Sequence, residues 1–328
     1  MPATSLVVCL HRQRDFLERL LHETSGFFDD LVIVHDGPES AANDQVHTPD
    51  EIKETPPAID YSKLSFDSTL PRVYDTPPIP AQHGSIHELT LSYGGRYFEG
   101  PRCFQQEPHW PFAVSRAKHD WILRLDADEF PSAELKEWLA HFRAKQDTDR
   151  AVSGYTCVWP VWNGKNAVTR SWPSGRIFLF HRQRVRFFGM AEQVPVPDVR
   201  FQSLPLVLHH QPQRKSHGLL NILNRQQGSR WRLVIAQSLL DLPQDLPQWR
   251  WNDNTWPPFW DRLRRNPIRA GAYSLLPNTA RTLRDQWQTE HKLMPLIAVA
   301  TPLHHSLIGL LLFQMRRRRG NVQSRTVN

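Results

Sequence analysis

The stretch Trp121-Ile-Leu-Arg-Leu-Asp-Ala-Asp-Glu129 decides how the fold of this chain is interpreted. Its first five residues form an apolar run typical of a buried strand, and Asp126, Asp128 and Glu129 follow directly. Like charges this close repel one another, a cost that a divalent cation would remove. If strand geometry continues, Asp126 and Asp128 point the same way, and two carboxylates suit Mg²⁺ or Mn²⁺ with substrate phosphates completing the shell. The alternative is a solvated turn whose acids cap the helix that begins near Pro131.

A second acidic strand end lies upstream. Residues 5–10 and 31–35 are short apolar runs rich in strand formers, and residues 11–25 between them carry apolar side chains at helical spacing. A strand, a helix and a strand in this order form a βαβ unit, so the carboxyl ends of both strands share one edge of a parallel sheet, where open α/β sheets bind ligands. Asp36 ends the second strand and would accept hydrogen bonds from a ribose or a base there. An acid before Gly37 is also an ordinary turn residue.

The remaining pattern predicts three segments. Residues 1–212 are expected to form a Rossmann-like α/β domain with a mostly parallel sheet flanked by helices, interrupted by a proline-rich inserted loop at 38–84. Residues 213–292 predict a helical, tryptophan-rich extension, and residues 293–328 an apolar helix with an arginine-rich tail. Further strands are predicted at 154–161, 176–180 and 204–209, and a helix with Leu135, Trp138, Leu139 and Phe142 on one face.

Composition excludes several classes of protein. The 328 residues are 40% hydrophobic and 22% charged, which excludes wholesale disorder. Three scattered cysteines exclude a disulfide framework and a four-cysteine zinc site. The net charge is +7, but five arginines in residues 315–328 leave only +2 for the rest, so nucleic acid is not an expected partner. No signal peptide or glycosylation sequon is visible, and we expect a cytoplasmic location.

Four stretches carry a resemblance to a known family. Residues 5–11 (SLVVCLH), the helix with residues 15–17 (DFL), residues 31–37 and residues 117–129 resemble family 2 glycosyltransferases of the GT-A fold, in particular bacterial enzymes that build lipopolysaccharide core and other surface glycans. The resemblance covers roughly residues 4–212, and residues 125–129 are its most specific part. It implies a nucleotide-sugar donor, a glycan or lipid-linked acceptor, and a divalent cation. By this resemblance the donor is bound by Leu10, His11, Asp36 and Asp126, and the metal by Asp126 and Asp128.

Two later segments extend the resemblance. Residues 176–193 look like the stretch that ends in an acid on the acceptor side, which implies that Glu192 removes the acceptor proton; a loop acid is the alternative. Residues 206–210 are similar to the strand that delivers a histidine to the metal or diphosphate, with the register between His209 and His210 open; a core or edge histidine is the alternative. The implied reaction is an inverting transfer with an oxocarbenium-like transition state, in which the cation stabilises the leaving diphosphate.

The chain also departs from the family pattern. Residues 9–12 (CLHR) stand where Pro-Thr-Tyr-Asn is usual, Trp110-Pro111 replaces an Arg-Asn pair, and Ala191 replaces a histidine. These changes leave a second possibility open, a non-catalytic GT-A fold that binds glycans or scaffolds an assembly. An aspartyl phosphohydrolase is disfavoured because Glu129-Phe130 follows the acids in place of Gly-Thr. No P-loop and no Gly-x-Gly-x-x-Gly motif occurs.

Two apolar features have more than one interpretation. Four of the twelve tryptophans would flank the expected cleft and suit stacking on sugar rings, although core and loop packing is expected for most; these four are Trp110, Trp159, Trp162 and Trp172.

Residues 293–315 lack charged side chains, but Pro295, Pro302 and the histidines at 304–305 are expected to interrupt them. Residues 303–315 alone make about 20 Å of helix, short of a roughly 30 Å bilayer core. We therefore favour a peripheral, interfacial helix over one packed on the protein or spanning a bilayer.

Overall fold

The structure is a computed structural model, and it describes residues 3–40, 74–101, 106–144, 151–160, 175–186, 195–211 and 258–325, with helical positions at 232, 235, 236, 239 and 240. The chain divides into two compact units. The sheet unit comprises residues 1–51 and 64–214, and the helical unit comprises residues 52–63 and 215–328. Most of the predicted insertion at 38–84 lies outside the described residues, and the division into three segments stays a prediction.

The sheet unit alternates strands and helices in its first half and is mainly strands in its second half. Its elements are β1 (Thr4–Leu10), α1 (Arg14–Thr24), β2 (Asp30–Asp36), α2 (Ile86–Ser92), β3 (Arg96–Gly100), a 3₁₀ turn (Glu107–His109), α3 (Trp110–Arg116), β4 (Trp121–Arg124), β5 (Glu129–Pro131), α4 (Ala133–Ala144), β6 (Gly154–Val158), β7 (Arg176–His181), a 3₁₀ turn (Arg182–Arg184), β8 (Val185–Arg186), β9 (Val196–Pro197) and β10 (Phe201–His210).

Eight of the described strands form one sheet in the order β3-β2-β1-β4-β7-β6-β10-β5. β3, β2, β1 and β4 are parallel, as are β6 and β10, whereas β7 runs antiparallel to both of its neighbours and β5 runs antiparallel to β10. Val7 in the central strand pairs with Val32 on one side and Arg124 on the other, so the carboxyl ends of β2, β1 and β4 meet at one edge. The predicted α/β class, with helices flanking the sheet and a helical C-terminal extension, is confirmed.

Helices cover both faces of this sheet because its central strands are apolar on both sides. One face packs Leu6, Val8 and Leu10 against residues of α1, α2 and α4. The opposite face packs Val7 and Cys9 against α3. Both layers are almost fully excluded from water, so the sheet forms a rigid platform for the loops at its carboxyl edge.

The structure differs from the sequence prediction around the first helix. Residues 11–25 were expected to be helical, but α1 begins at Arg14 because Arg12 and Gln13 adopt positive φ angles of 60° and 64°. That left-handed conformation is unfavourable for residues with a Cβ and ends any helix that would include them. His11 is therefore held in a loop at the carboxyl end of β1. α2, β3 and α3 were not predicted, because their apolar runs are short and interrupted by polar residues.

Asp30, at the start of β2, holds three parts of the sheet unit together. Its carboxylate accepts hydrogen bonds from Ser5 Oγ (2.8 Å), Lys118 N (2.8 Å) and Arg96 Nη2 (2.6 Å). Burial alone would raise the pKa of Asp30, but these donors lower it overall. The folded state therefore favours the ionised carboxylate, which joins β1, β3 and the loop before β4.

We predict that Asp30→Ala lowers the free energy of unfolding by about 3 kcal/mol at neutral pH, because three donors lose a charged acceptor. Folding lowers the pKa of Asp30, so the stabilisation that its carboxylate provides is complete above the ordinary pKa of 3.8. This stabilisation is lost as the pH falls through the lower pKa of the folded state. Urea unfolding from pH 7 downward measures both effects. The exposed Glu137→Gln serves as a control, and an equal loss in both variants would contradict the role of Asp30.

The helical unit contains three described helices after residue 258: α5 (Pro258–Arg265), α6 (Pro267–Glu290) and α7 (Pro295–Arg325). The expectation that prolines interrupt the last segment is wrong. Pro295 is the first residue of α7, where a missing N–H costs no helical hydrogen bond, and Pro302 is accommodated inside the helix. The result is one helix of 31 residues, about 46 Å long.

Within α7, residues Pro295–Arg319 are the described segment that is long and apolar enough to cross a membrane. Its mean hydropathy is 1.8 and 33% of the apolar window is buried within the protein. The core helix of a soluble protein passes the same test of length and composition, so this property by itself is weak evidence for a membrane span.

Candidate active site at the carboxyl edge of the sheet

The carboxylate of Asp36, at the end of β2, is buried in a short hydrogen-bonded chain. His109 Nε2 donates to Asp36 Oδ1 over 3.0 Å, and the hydroxyl of Tyr74 lies 3.2 Å from His109 Nδ1. Because a carboxylate only accepts, His109 carries its proton on Nε2 when neutral, which leaves Nδ1 to accept from the tyrosine. The side chain of Asp36 is only 3% exposed. The predicted contact between Asp36 and a nucleoside stays a prediction.

The loop after β1 is tied to the end of β2. Leu10 is fully buried in the core, so its backbone is the part that faces the edge. His11 Nδ1 donates to the carbonyl of Asp36 over 3.0 Å, and the N–H of Arg12 donates to His35 Nε2 over 3.1 Å. Burial lowers the pKa of His35, although the carbonyl of Gly37 opposes this, so His35 is neutral near pH 7. The predicted donor residues Leu10, His11 and Asp36 therefore lie together.

Arg176, on β7, joins two of the acids that follow β4. Its Nη2 lies 2.6 Å from Asp126 Oδ2, and its Nε lies 2.8 Å from Glu129 Oε1. Glu129 Oε2 also accepts from the backbone N–H of Asp126 over 2.8 Å. The Asp126 Oδ1 atom is buried and has no hydrogen-bond partner among the described residues. One oxygen of Asp126 thus lacks a hydrogen-bond partner while the other is fixed by Arg176.

Asp128 pairs with a histidine of β10. His210 Nε2 lies 3.6 Å from Asp128 Oδ2, and the His210 ring stacks on Trp159 with 4.4 Å between ring centroids. Burial would raise the pKa of Asp128, but His210 lowers it overall, so this carboxylate is ionised at neutral pH. His209 is exposed. It is the last of three groups, after the Glu134 backbone and Ser132, that lower the pKa of Glu134 on α4. Because side chains alternate along a strand, His210 faces the acids and His209 faces away from them.

The charges of this cluster are coupled. Burial would lower the pKa of Arg176, but Asp126 and Glu129 raise it well above its ordinary value. Burial raises the pKa of Glu129, although Arg176 opposes this. Burial is the main cause that lowers the pKa of Arg124 to about 10, and the positive charge of Arg176 adds to the effect. The guanidinium of Arg124 lies 4.5 Å from the centroid of the Trp110 ring. Two buried guanidiniums therefore lie beside the acids at this edge.

Asp36 and Arg124 lie on the same side of the sheet. Val34, two residues before Asp36 on β2, packs on the face that contacts α3, and the guanidinium of Arg124 on β4 lies over Trp110 of α3. Asp126 follows the end of β4. Cys9, on the strand between β2 and β4, has a buried thiol. Burial raises the pKa of Cys9 well above its ordinary value, Arg124 opposes this, and Asp126, Glu107 and Asp36 raise it further.

The acids after β4 fit a divalent cation in part. Among the described residues no three His, Cys, Asp or Glu side chains are placed to hold a metal ion together. Mg²⁺ needs only one or two carboxylates when substrate phosphates and waters complete its shell. The unpartnered Asp126 Oδ1 and the ionised Asp128 supply the oxygen ligands that such a cation prefers. β2 and β4 are two strands apart, roughly 10 Å, so Asp36 is too far from Asp126 to share one cation with it.

Other predicted residues have mixed outcomes. Glu192 lies outside the described residues, as do Trp162 and Trp172. Trp110 is 1% exposed and packs beneath Arg124, which is a core role, whereas Trp159 stacks on His210 at the acid cluster.

Sequence reasoning missed Arg176, His109, Arg124 and Glu107. Arg124 had a detectable signal, since a cation inside an otherwise apolar strand requires a nearby acid or aromatic ring. Arg176 and His109 had none, because their partners are distant in sequence.

Comparisons with known proteins give little further information. No protein-family profile matches the chain, and no curated protein sequence matches it. Solved structures with partial similarity are Staphylococcus aureus TarS (11% identity, TM-score 0.38, 92% of this chain and 55% of that chain), S. aureus TarS residues 1–349 (10%, 0.37, 96% and 91%) and a mycobacterial protein (13%, 0.31, 73% and 74%). The chain thus spans 55% of the length of the first of these. At these TM-scores the similarity carries no argument about function, and the family 2 resemblance stays a prediction.

Proposed function

We propose that this chain is a glycosyltransferase that moves a sugar from a nucleotide-sugar donor to a hydroxyl group of a glycan or lipid-linked acceptor. The observation that supports this most is the placement of Asp36 and Asp126 at the carboxyl edge of parallel strands, on either side of the strand that carries Cys9. Open α/β sheets bind ligands at this edge. The proposal also rests on the sequence resemblance of residues 121–129 and places the reaction in the cytoplasm.

We assign different parts of the donor to different described residues according to their positions. The loop at Leu10 and His11, with Asp36, would contact the nucleoside, and Asp126 would contact the ribose or the diphosphate. Arg176 holds one oxygen of Asp126 and prevents the carboxylate from rotating. A fixed carboxylate loses little conformational entropy when the donor binds.

A divalent cation, Mn²⁺ or Mg²⁺, would be held by Asp126 and Asp128, with His210 adjacent. When bound, it supplies a Lewis acid that stabilises negative charge on the leaving diphosphate. His210 keeps Asp128 ionised and oriented. The exposure of His209 on the opposite side of β10 argues for His210 as the histidine that serves this site.

In the proposed transfer the acceptor oxygen forms a bond to the anomeric carbon, and the bond from that carbon to the diphosphate oxygen breaks. The nucleoside diphosphate leaves with the bonding electron pair, and the acceptor proton moves to a carboxylate. A single displacement of this kind inverts the anomeric configuration. Glu192 is our candidate for the proton acceptor, on the basis of sequence alone.

We predict that Glu192→Gln lowers the turnover number by about 10²–10⁴ while donor binding changes little, because general-base assistance acts in the transition state. Steady-state kinetics together with calorimetric titration of the donor separate the two effects. The exposed Glu137→Gln is the matched control. A wild-type turnover number for Glu192→Gln would place the base elsewhere.

The decisive test of the proposed function is a screen of nucleotide-sugars for donor hydrolysis with Mn²⁺ or Mg²⁺. A transferase that lacks its acceptor is expected to hydrolyse its own donor slowly, and one nucleotide-sugar should stand out. If no nucleotide-sugar is hydrolysed and no nucleotide binds, the transferase proposal is excluded.

One observation favours a second candidate, a non-catalytic GT-A fold that binds glycans. Asp36, Asp126 and Asp128 already pair with His109, Arg176 and His210 inside the protein. A site whose acids are satisfied internally needs no metal for stability. Binding of a nucleoside diphosphate without hydrolysis of any nucleotide-sugar would favour this candidate.

A further inference from the structure

An arginine-lined cleft lies within the helical unit, between the start of α6 and the C-terminal half of α7. It has a volume of about 530 Å³, within the range of about 300–1,000 Å³ for ligand pockets. Its lining residues include four arginines and two large apolar residues, and these are Arg265, Arg269, Arg316, Arg317, Ile268 and Phe313.

The helix segments that form most of this cleft are free of acids, since residues 262–284 and 291–328 contain neither Asp nor Glu, although Asp261 precedes them in α5. Arg316 Nη2 donates to the carbonyl of Arg264, the last but one residue of α5. Burial is the main cause that lowers the pKa of Arg316, and the positive charge of Arg264 lowers it further. Arg264 and Arg316 therefore repel one another. An anion in the cleft would remove that repulsion. The first turn of α6, which begins at Pro267, adds the positive end of a helix dipole.

Apolar side chains extend from the cleft along both helices. Leu310, Phe313 and Arg317 follow the spacing i, i+3, i+7, which places them on one face of α7. Phe313 packs against the guanidinium of Arg317, with 5.9 Å between the guanidinium carbon and the ring centroid. Leu310 is 44% exposed. This face therefore presents a cation at one end and exposed apolar surface toward the other.

α6 repeats the arrangement with Arg269, Tyr273 and Leu276, at the spacing i, i+4, i+7. Leu276 is 76% exposed and Tyr273 is 66% exposed, so the exposed apolar surface on this face is larger than one side chain. The two helices run antiparallel, so their cationic ends lie at the same end of the hairpin.

The cleft is formed before any ligand arrives, because glycines bring the two helices close together. A Cβ on Gly309 would lie 2.5 Å from the carbonyl oxygen of Pro267, and one on Gly271 would lie 3.1 Å from Ser306 Cα. Ser306 Oγ also donates to the carbonyl of Gly271 over 2.7 Å. Close backbone packing of this kind fixes the spacing between the arginines of α6 and those of α7.

We infer that this cleft binds the phosphate headgroup of an anionic phospholipid, with the exposed apolar faces of α6 and α7 seated in the membrane interface. A cationic cleft that continues into exposed apolar surface is complementary to an anionic amphiphile, whereas a free phosphate would use only the cationic part. The inference concerns the helical unit by itself and does not depend on the proposed transferase activity. It gives the predicted peripheral helix a defined ligand site.

Vesicle flotation with the full chain tests this inference. Wild-type protein should float with vesicles of equimolar phosphatidylcholine and phosphatidylglycerol, should not float with phosphatidylcholine alone, and should dissociate as salt is raised. The double variant R269Q/R317Q should lower the partition coefficient roughly 30-fold, since each arginine near an anionic surface contributes substantially to binding. Both residues are exposed, so the fold should persist, and the thermal melting temperature checks this.

The matched control is R281Q/R284Q, which removes two exposed arginines of α6 outside the cleft. It should change the partition coefficient by less than about threefold. An equal loss in both double variants would show attraction by net charge alone and would overturn the cleft. Leu276→Asn should weaken binding roughly tenfold through lost apolar burial, and an unchanged partition coefficient would contradict the seating of α6.

Three further results would overturn the inference. Thermal stabilisation by inorganic phosphate that depends on Arg269 and Arg317 would indicate a free-phosphate site. Displacement from vesicles by duplex DNA with the same arginine dependence would indicate a nucleic-acid surface. Retention of the expressed chain in membranes after washing with alkaline carbonate would indicate that α7 spans the bilayer, whereas release supports the interfacial arrangement.

Discussion

Asp128→Ala is expected to lower nucleotide-sugar hydrolysis and transfer by at least about a thousandfold. A cation that stabilises the leaving diphosphate contributes several kcal/mol to the transition state, and each 1.36 kcal/mol is a factor of ten in rate. Asp128 is ionised and contacts His210, while its backbone carbonyl accepts from the N–H of Gln211 over 2.9 Å. The substitution removes only the side chain, so the backbone contact and the fold should remain.

Initial rates at saturating donor, with the Mn²⁺ concentration varied, measure this effect. Asp198→Ala is the control, because Asp198 is an exposed aspartate of the same unit. The control should keep wild-type activity and the same Mn²⁺ dependence. Full activity in Asp128→Ala would contradict the assignment of Asp128 to the metal.

Arg176→Ala is expected to destabilise the sheet unit by about 4 kcal/mol, the largest structural effect that we predict. Removing one partner of a buried ion pair leaves the other charge without compensation. Here two carboxylates lose their cation at once, since Arg176 lies against both Asp126 and Glu129. Glu129 is fully excluded from water and burial raises its pKa, so without Arg176 the folded protein must either hold an uncompensated charge or take up a proton.

Urea unfolding of a double-mutant cycle tests this role. Glu129→Gln in the Arg176→Ala background should restore part of the lost stability, because the uncompensated charge disappears. Arg14→Ala, which breaks an exposed i,i+4 pair with Glu18, should cost only about 0.5 kcal/mol. A similarly small cost for Arg176→Ala would contradict the buried network.

The sequence predicts the edge of the sheet better than it predicts the contacts formed there. Residues 121–125 and 31–35 are mainly apolar runs, and their acids come immediately after them, so local pattern was sufficient to place Asp36 and Asp126 at one edge. The register of β10 was not predictable from its pattern, because His209 and His210 are adjacent and only the pairing with β5 decides which of them faces the acids.

Long-range partners were beyond the reach of the sequence. His109 and Asp36 are 73 residues apart, and Arg176 and Glu129 are 47 residues apart. Nothing local to Arg176 distinguishes it from a surface arginine at the start of a strand. The continuity of α7 through Pro302 was also missed, because a proline inside a helix usually weakens it, and packing of α7 on α6 overrides that preference.

The most direct measurement of the central proposal is calorimetric titration of nucleoside diphosphates in the presence and absence of Mn²⁺. If Asp36, Asp126 and Asp128 serve one pocket, wild-type protein should bind one nucleoside diphosphate tightly only with the cation. Asp36→Asn, which keeps an acceptor for His109, and Asp128→Ala should each weaken that binding at least about tenfold. Cation-independent binding of equal strength in all three proteins would contradict the proposal that these aspartates converge on a metal and a diphosphate.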